Sequence, residues 1–125
     1  MKIQEALDLT DQMRPNMMTR KVKIAYLREI DQLIWEEILM KHEHTAEQET
    51  QPEYDTDTAA ETEMIVPDPY SMLYVYWLMS KIDRLNMEMD KYTNDRTLFD
   101  NAYDNMTDWW TRTKRPIIKT GEFWL

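Results

Sequence analysis

The sequence predicts an all-α fold, a small bundle of three to four helices that forms a single domain over residues 1–125. Apolar residues recur every three or four positions rather than at alternate positions, which is the spacing of one face of an α-helix. The chain contains one glycine and five prolines, too few for the tight turns of a hairpin-rich β fold. Its length of 125 residues is typical of one domain with one modest hydrophobic core.

The first two helices are predicted at residues 3–13 and 20–42. A break at Arg14-Pro15-Asn16 separates them, and Thr19 is a suitable N-cap for the second. The apolar stripe of the second helix consists of Leu27, Ile30, Ile34 and Ile38. Trp35 lies off this stripe, so either a neighbouring helix covers it or it anchors a contact with another chain.

Two further antiparallel helices are predicted at residues 69–92 and 94–113, and the rest of the chain is organised around them. Asp68 can cap the third helix, and Pro69 fits its first position, where the missing N–H removes no hydrogen bond. The turn between the two helices is expected at Thr93-Asn94-Asp95. Apolar positions at helical spacing include Leu73, Trp77, Ile82, Leu85 and Met89 in the third helix and Phe99, Tyr103, Met106 and Trp110 in the fourth.

Residues 43–63 form an acidic segment between the second and third helices. The segment holds eight acidic residues, no lysine or arginine, and a single aromatic residue, Tyr54. This composition predicts a segment that contributes nothing to the core and is either a long loop or disordered in isolation. Two interpretations stay open, a solvated surface loop and an insertion that orders against partners or lines an acidic channel. The candidate surface residues are Glu47, Glu49, Asp55 and Asp57.

The net charge of −9 belongs mostly to this segment, since the remaining residues carry 16 acidic and 15 basic side chains. A chain of this charge has no electrostatic basis for gripping nucleic acid. Eleven methionines and fourteen aromatic residues supply adaptable apolar surface, in excess of what one small monomer hides. No apolar run approaches the roughly 20 residues of a membrane span, and the N-terminus lacks the apolar core of a signal peptide.

The sequence gives no basis for a catalytic, cofactor or metal site. There are no cysteines, and the single glycine excludes a glycine-rich phosphate loop. His42 and His44 are two residues apart, whereas zinc-binding pairs on helices prefer a spacing of four, and further ligands are missing. Asp83 is the one carboxylate inside an apolar run, and Arg84 or Lys81 is expected to pair with it. We therefore expect a protein that is not an enzyme.

The last residues, 114–125, are predicted to form an extended tail. The tail ends in Gly121-Glu-Phe-Trp-Leu125, which is too apolar for a segment that serves only solubility. Chain ends fray unless something holds them. The tail therefore either folds back onto its own helices or inserts into a neighbouring subunit.

A specific residue pattern runs through the second half of the chain. It consists of Pro67-Asp-Pro69-Tyr70, Leu73-Tyr74, Tyr76, Leu78-Met79, Ile82-Asp83, Asn86, Glu88, Tyr92-Thr-Asn94, Leu98-Phe99-Asp100, Trp110, Arg112-Thr113 and Pro116. In this pattern the chain resembles small head–tail adaptor proteins, also called connector or head-completion proteins, of tailed phages and prophages of Gram-positive bacteria. The N-terminal pattern from Ile3-Gln-Glu-Ala to Glu37 is similar too. The resemblance fails in residues 43–63 and departs at Thr93, where asparagine is expected.

The resemblance implies a role in the phage neck. Such adaptors are helical and form a ring, typically of twelve subunits, beneath the portal protein, and the ring extends the DNA channel towards the stopper or tail-completion protein. It implies that double-stranded DNA passes through without specific binding and that the protein is part of the virion. The residues it implies for docking to the portal or a neighbour are Arg112, Arg115, Phe123, Trp124 and Leu125. Trp35 and Trp77 are candidates for contacts between subunits.

The alternative is a free regulatory protein, an acidic helical protein that binds one host protein. A decoy that imitates nucleic acid would spread acidic side chains over its folded surface. In this sequence the predicted helices are nearly balanced in charge.

Overall fold

The structure, a computed structural model, describes residues 1–117. It contains the helices α1 (Ile3–Met13), α2 (Arg20–Glu37), α3 (Leu73–Leu85) and α4 (Met89–Thr113). Three short 3₁₀ turns add to these helices, at Leu39–Lys41, Ala46–Glu49 and Tyr70–Met72. No β-strand occurs between residues 1 and 117, although two isolated antiparallel bridges pair Lys2 with Glu63 and His42 with Pro116. The predicted all-α class is confirmed.

Helix α3 is the centre of the bundle, because nine of its 13 residues are buried. It packs antiparallel against α4, where the rings of Trp77 and Phe99 lie 5.0 Å apart. Its other side faces α2, and the Trp77 indole N–H donates to the backbone carbonyl of Tyr26 at 3.1 Å. The largest fully buried side chains include Ile3, Ile24, Leu27, Ile30, Ile34, Leu73, Tyr74, Leu78, Ile82 and Met106.

The ends of α1 and α2 follow the local signals of the sequence. Helix α1 has the predicted bounds, and the Thr19 hydroxyl accepts a hydrogen bond from the backbone N–H of Val22 at 3.3 Å, as an N-cap does. Helix α2 ends at Glu37, five residues earlier than predicted. The chain continues through the 3₁₀ turn Leu39–Lys41, which keeps both Ile38 and Leu39 buried.

The turn between α3 and α4 lies at Asn86–Glu88, so the prediction at Thr93-Asn94-Asp95 is wrong. The backbone N–H groups of Met87 and Glu88 bond the carbonyls of Arg84 and Asp83, and Met87 has a φ of 58°. This is the Schellman ending of a helix, with methionine at the left-handed position that usually holds glycine. The predicted third helix therefore splits, and its last residues begin α4 instead.

Candidate interaction surfaces

One face of α2 holds the acidic segment, residues 43–63, against the helical body. Three side chains donate to its backbone: Arg28 to the carbonyl of Tyr54 at 3.3 Å, Gln32 to that of Pro52 at 2.7 Å, and Trp35 to that of Gln48 at 2.8 Å. Together with Asp31 these residues are spaced three, four and seven positions along α2, so they share one face of the helix. The acidic segment is thus attached along a stripe of hydrogen-bonding residues.

The strongest attachment is the Asp31 cluster, formed by Asp31, Tyr54, Tyr74 and the backbone of Ile65. The fully buried Asp31 carboxylate accepts from the Tyr54 hydroxyl at 2.6 Å, from the Tyr74 hydroxyl, and from the Ile65 N–H at 3.2 Å. The Tyr74 hydroxyl in turn accepts from the Val66 N–H at 2.8 Å. A single carboxylate therefore joins α2, α3, the middle of the acidic segment and the residues that follow the segment.

Burial raises the pKa of Asp31 above the ordinary aspartate value, although its hydrogen bonds act in the opposite direction. Burial and the nearby carboxylate also raise the pKa of the Tyr54 and Tyr74 hydroxyls, which therefore stay protonated as donors.

The sequence prediction that the segment contributes nothing to the core is wrong, since Tyr54 is only 7% exposed and lies in the hydrophobic core.

Both ends of the acidic segment also pair with other parts of the chain, one with its first residues and the other with the residues just after α4. The N–H of Ile3 donates to the carbonyl of Thr62 at 3.0 Å, and the N–H of Met64 donates to that of Met1 at 3.1 Å. At the other end, the N–H of Glu43 donates to the carbonyl of Arg115 at 2.8 Å. These contacts hold both ends of the segment, so its placement is determined by the body of the protein.

The four acidic residues singled out in the sequence are all exposed. The Asp55 carboxylate accepts from the N–H of Asp57 at 2.8 Å and so stabilises a local turn. The Glu49 carboxylate lies 3.4 Å from Nε2 of His44. The side chains of Glu47 and Asp57 add negative charge to the same surface. The segment therefore presents carboxylates outwards while its backbone is bound to α2.

The two tryptophans proposed for contacts between subunits are both occupied within their own chain. The acidic segment, not a helix, partly covers Trp35 and accepts its indole N–H. Trp77 is 8% exposed, and the ammonium group of Lys81 lies 4.2 Å from its ring centroid. Little of the Trp77 ring is left for a neighbouring subunit.

Two of the five proposed docking residues, Arg112 and Arg115, lie in the last turn of α4 and just after it. Arg112 and Arg115 are exposed. The Ile117 N–H donates to the carbonyl of Lys41 at 2.8 Å, which pairs the residues that follow α4 with the 3₁₀ turn Leu39–Lys41. The other three proposed docking residues, Phe123, Trp124 and Leu125, lie outside the described residues.

The opposite end of α4 carries a surface that we call the methionine end, formed by Met13, Met17, Leu85, Met87 and Met89. These are five of the nine large apolar side chains that residues 1–117 expose, and Met17 and Met87 are 98% and 82% exposed. They fall at the same end of the bundle, because Arg14, which lies between the first two in sequence, pairs with Asp83 and Asp95 on either side of the α3–α4 turn. Large apolar side chains exposed at one end of a small protein typically mark a contact with another molecule.

Beneath the methionine end lies the Arg14 cluster, formed by Arg14, Asp83 and Asp95. Nη2 of Arg14 donates to Asp95 at 2.8 Å, and Nε lies 2.9 Å from Oδ1 of Asp83. The side chains of Asp83 and Asp95 are 0% and 1% exposed. The partner of Asp83 is thus Arg14, so the prediction of a pair with Arg84 or Lys81 is wrong. Sequence reasoning missed Arg14 because its partners are about 70 and 80 positions away.

Burial raises the pKa of Asp83 to about 7, and the adjacent Asp95 carboxylate acts in the same direction. Arg14 opposes the shift, but one guanidinium offsets only one of two carboxylates. A carboxyl group with a perturbed pKa of this kind marks candidate catalytic sites as well as structural charge clusters.

In residues 1–117 no group of three or more His, Cys, Asp or Glu side chains is arranged to hold a metal ion.

Sequence reasoning also missed Asp31, which it did not single out as a candidate residue. The available signal was the spacing of Arg28, Asp31, Gln32 and Trp35, a second stripe made of side chains that form hydrogen bonds.

Within the described part of the chain, no helix combines the length and apolar character needed to cross a membrane.

No protein-family model, curated protein or solved structure matches this chain. The resemblance to head–tail adaptors therefore stays a prediction.

Proposed function

We propose that the chain is a structural protein of the phage neck, a head–tail adaptor that forms a ring below the portal. Its partners are further copies of itself, typically twelve in a ring, together with the portal protein and a stopper or tail-completion protein. The ring joins the DNA-filled head to the tail, and double-stranded DNA passes through it without specific binding. The protein acts in the virion, without enzymatic activity, cofactor or membrane.

The observation that carries this proposal is the placement of contact features at opposite ends of α4. The methionine end lies at its N-terminal end, whereas Arg112, Arg115 and the start of the tail lie at its C-terminal end. At a rise of about 1.5 Å per residue, the 25 residues of α4 separate them by about 37 Å. A subunit that joins two larger assemblies needs two such separate contact regions.

The acidic segment supports a position facing the channel. Its exposed carboxylates, including Glu47, Glu49, Asp55 and Asp57, would repel DNA phosphates, so DNA could slide without adhering to the wall. Its backbone attachment to α2 would hold this charge in place during passage. In this proposal the long acidic loop lines the channel and residues 114–125 form the docking tail.

Deletion of Gly121–Leu125 tests the docking role of the tail. We expect the variant to keep the circular dichroism spectrum and the urea midpoint of the full chain, because the described core lies within residues 1–117. We also expect it to be missing from particles assembled by the phage that encodes the chain. The measurement is the amount of the protein in purified particles by quantitative mass spectrometry.

Two substitutions within the tail sharpen this test. Phe123→Ala combined with Trp124→Ala should reproduce the deletion, because aromatic side chains dominate protein contacts. The control, Glu122→Ala, should assemble normally. Wild-type incorporation of the deletion variant would overturn the docking role, and global unfolding would show that the tail belongs to the core. Binding to a single host protein, with no copy in particles, would favour the regulatory alternative.

A further inference from the structure

The Arg14 cluster joins three parts of the chain that are distant in sequence. Arg14 is the C-terminal cap of α1, Asp83 lies near the end of α3, and Asp95 lies in the second turn of α4. Its guanidinium contacts both carboxylates at 2.8–2.9 Å. The cluster therefore attaches the end of α1 to the α3–α4 hairpin mainly through charge.

The charges of this cluster do not balance when both carboxyl groups are ionised. Arg14 supplies one positive charge against two buried negative charges, and Glu88 in the α3–α4 turn adds a further negative charge nearby. Lys91 lies 2.5 Å from the Glu88 carboxylate and partly offsets it. Among the described residues, neither carboxylate oxygen of Asp83 accepts a well-aligned hydrogen bond. An uncompensated charge in such a site destabilises the packed arrangement.

A proton on one of the two carboxyl groups removes this imbalance and creates a donor between them. We propose that the Arg14 cluster is a proton-dependent latch, which holds the end of α1 and residues 14–19 on the α3–α4 hairpin more firmly in its protonated state. Because Met13 and Met17 lie on this connection, and Leu85, Met87 and Met89 on the hairpin, opening of the latch changes the arrangement of the methionine end. This inference concerns the fold itself and does not depend on the role in a phage neck.

The direction of the pH effect follows from the pKa of Asp83, which is about 7 in the folded protein and about 4 in an unfolded chain. The folded state therefore binds the proton more tightly than an opened state does. The stabilisation is fully present below about pH 4 and is lost as the pH rises through about 7. The latch is closed in mildly acidic solution and weaker above neutrality.

Amide hydrogen exchange of the full chain at pH 6 and pH 8 tests the latch. After correction for the intrinsic exchange rate, we expect the amides of residues 10–19 to open about tenfold more often at pH 8 than at pH 6. Proton linkage predicts this factor for a change of this size in the pKa of Asp83 on opening. In Asp83→Asn, which imitates the protonated group, opening at pH 8 and opening at pH 6 should differ by less than about twofold. Comparison of the two proteins isolates the part of the pH dependence that comes from Asp83.

The matched control is Asp11→Asn, which also acts on α1. Asp11 is half-exposed and pairs with Lys23 at 2.6 Å, an interaction that lowers its pKa, so it stays ionised from pH 6 to pH 8. This variant should keep the tenfold dependence. Equal protection of the wild-type chain at both pH values, or a tenfold dependence retained in Asp83→Asn, would overturn the proposal.

A second measurement decides the matter if Asp83→Asn does not fold. The ¹³C resonance of the Asp83 carboxyl group in the wild-type chain should titrate with a midpoint at about pH 7. A midpoint close to that of an ordinary aspartate, about 4, would overturn the latch.

Discussion

Replacement of Asp31 by alanine is expected to lower the free energy of unfolding by at least about 3 kcal/mol, because it leaves three buried or half-buried donors without an acceptor, each worth about 1–3 kcal/mol. These donors are the hydroxyls of Tyr54 and Tyr74 and the N–H of Ile65. Total stabilities of small proteins are only about 5–15 kcal/mol. The variant should therefore lie near the limit of folding, and the acidic segment should detach first.

Urea denaturation measures this loss, and limited proteolysis reports where it occurs. Cleavage within residues 43–63 should become much faster in the variant than in the wild-type chain. The control is Glu36→Ala, an exposed acidic residue on the same helix, for which we expect a change within about 0.5 kcal/mol. A loss below about 1 kcal/mol for Asp31→Ala, the scale of one ordinary hydrogen bond, would contradict the role of this carboxylate.

Replacement of Arg14 by alanine is expected to lower the free energy of unfolding by about 3–5 kcal/mol at pH 8, since it leaves two buried carboxylates without a cation. The loss should be smaller at pH 5. At that pH the Asp83 carboxyl, with its pKa of about 7, is protonated, so the cluster holds one uncompensated charge instead of two. The pH dependence separates this electrostatic effect from a simple loss of packing.

Urea denaturation at the two pH values measures this difference, with Arg84→Ala as the control. Arg84 is an exposed cation in the last turn of α3, so its removal should change stability within about 0.5 kcal/mol at either pH. Equal losses for Arg14→Ala at pH 5 and pH 8 would show that the cluster acts through packing alone.

Local sequence signals were enough to predict the bounds of α1 and the start of α2. The break at Arg14-Pro15-Asn16 and the Thr19 cap act within a few residues, so no tertiary contact overrides them. The α3–α4 turn was missed because its left-handed position holds Met87 instead of glycine. The hydroxyl of Thr93 bonds the carbonyl of Met89, so a residue that was expected to cap a helix is satisfied inside one.

The acidic segment could not be placed from composition, because tertiary contacts determine its position. Composition predicted that its carboxylates are exposed. It did not predict that α2 binds its backbone through the side chains of Arg28, Gln32 and Trp35. A single core aromatic residue, Tyr54, is enough to attach the middle of the segment. The docking role of the tail and the adaptor function stay predictions.

The most direct test of the proposed function is a cryo-EM map of the neck in the phage particles that the proposal assigns to this chain. We expect a ring of four-helix subunits beneath the portal, with residues 43–63 facing the lumen and both the methionine end and residues 114–125 in contact with other subunits. Particles that lack the chain, or a ring in which both of these regions face solvent, would contradict the account.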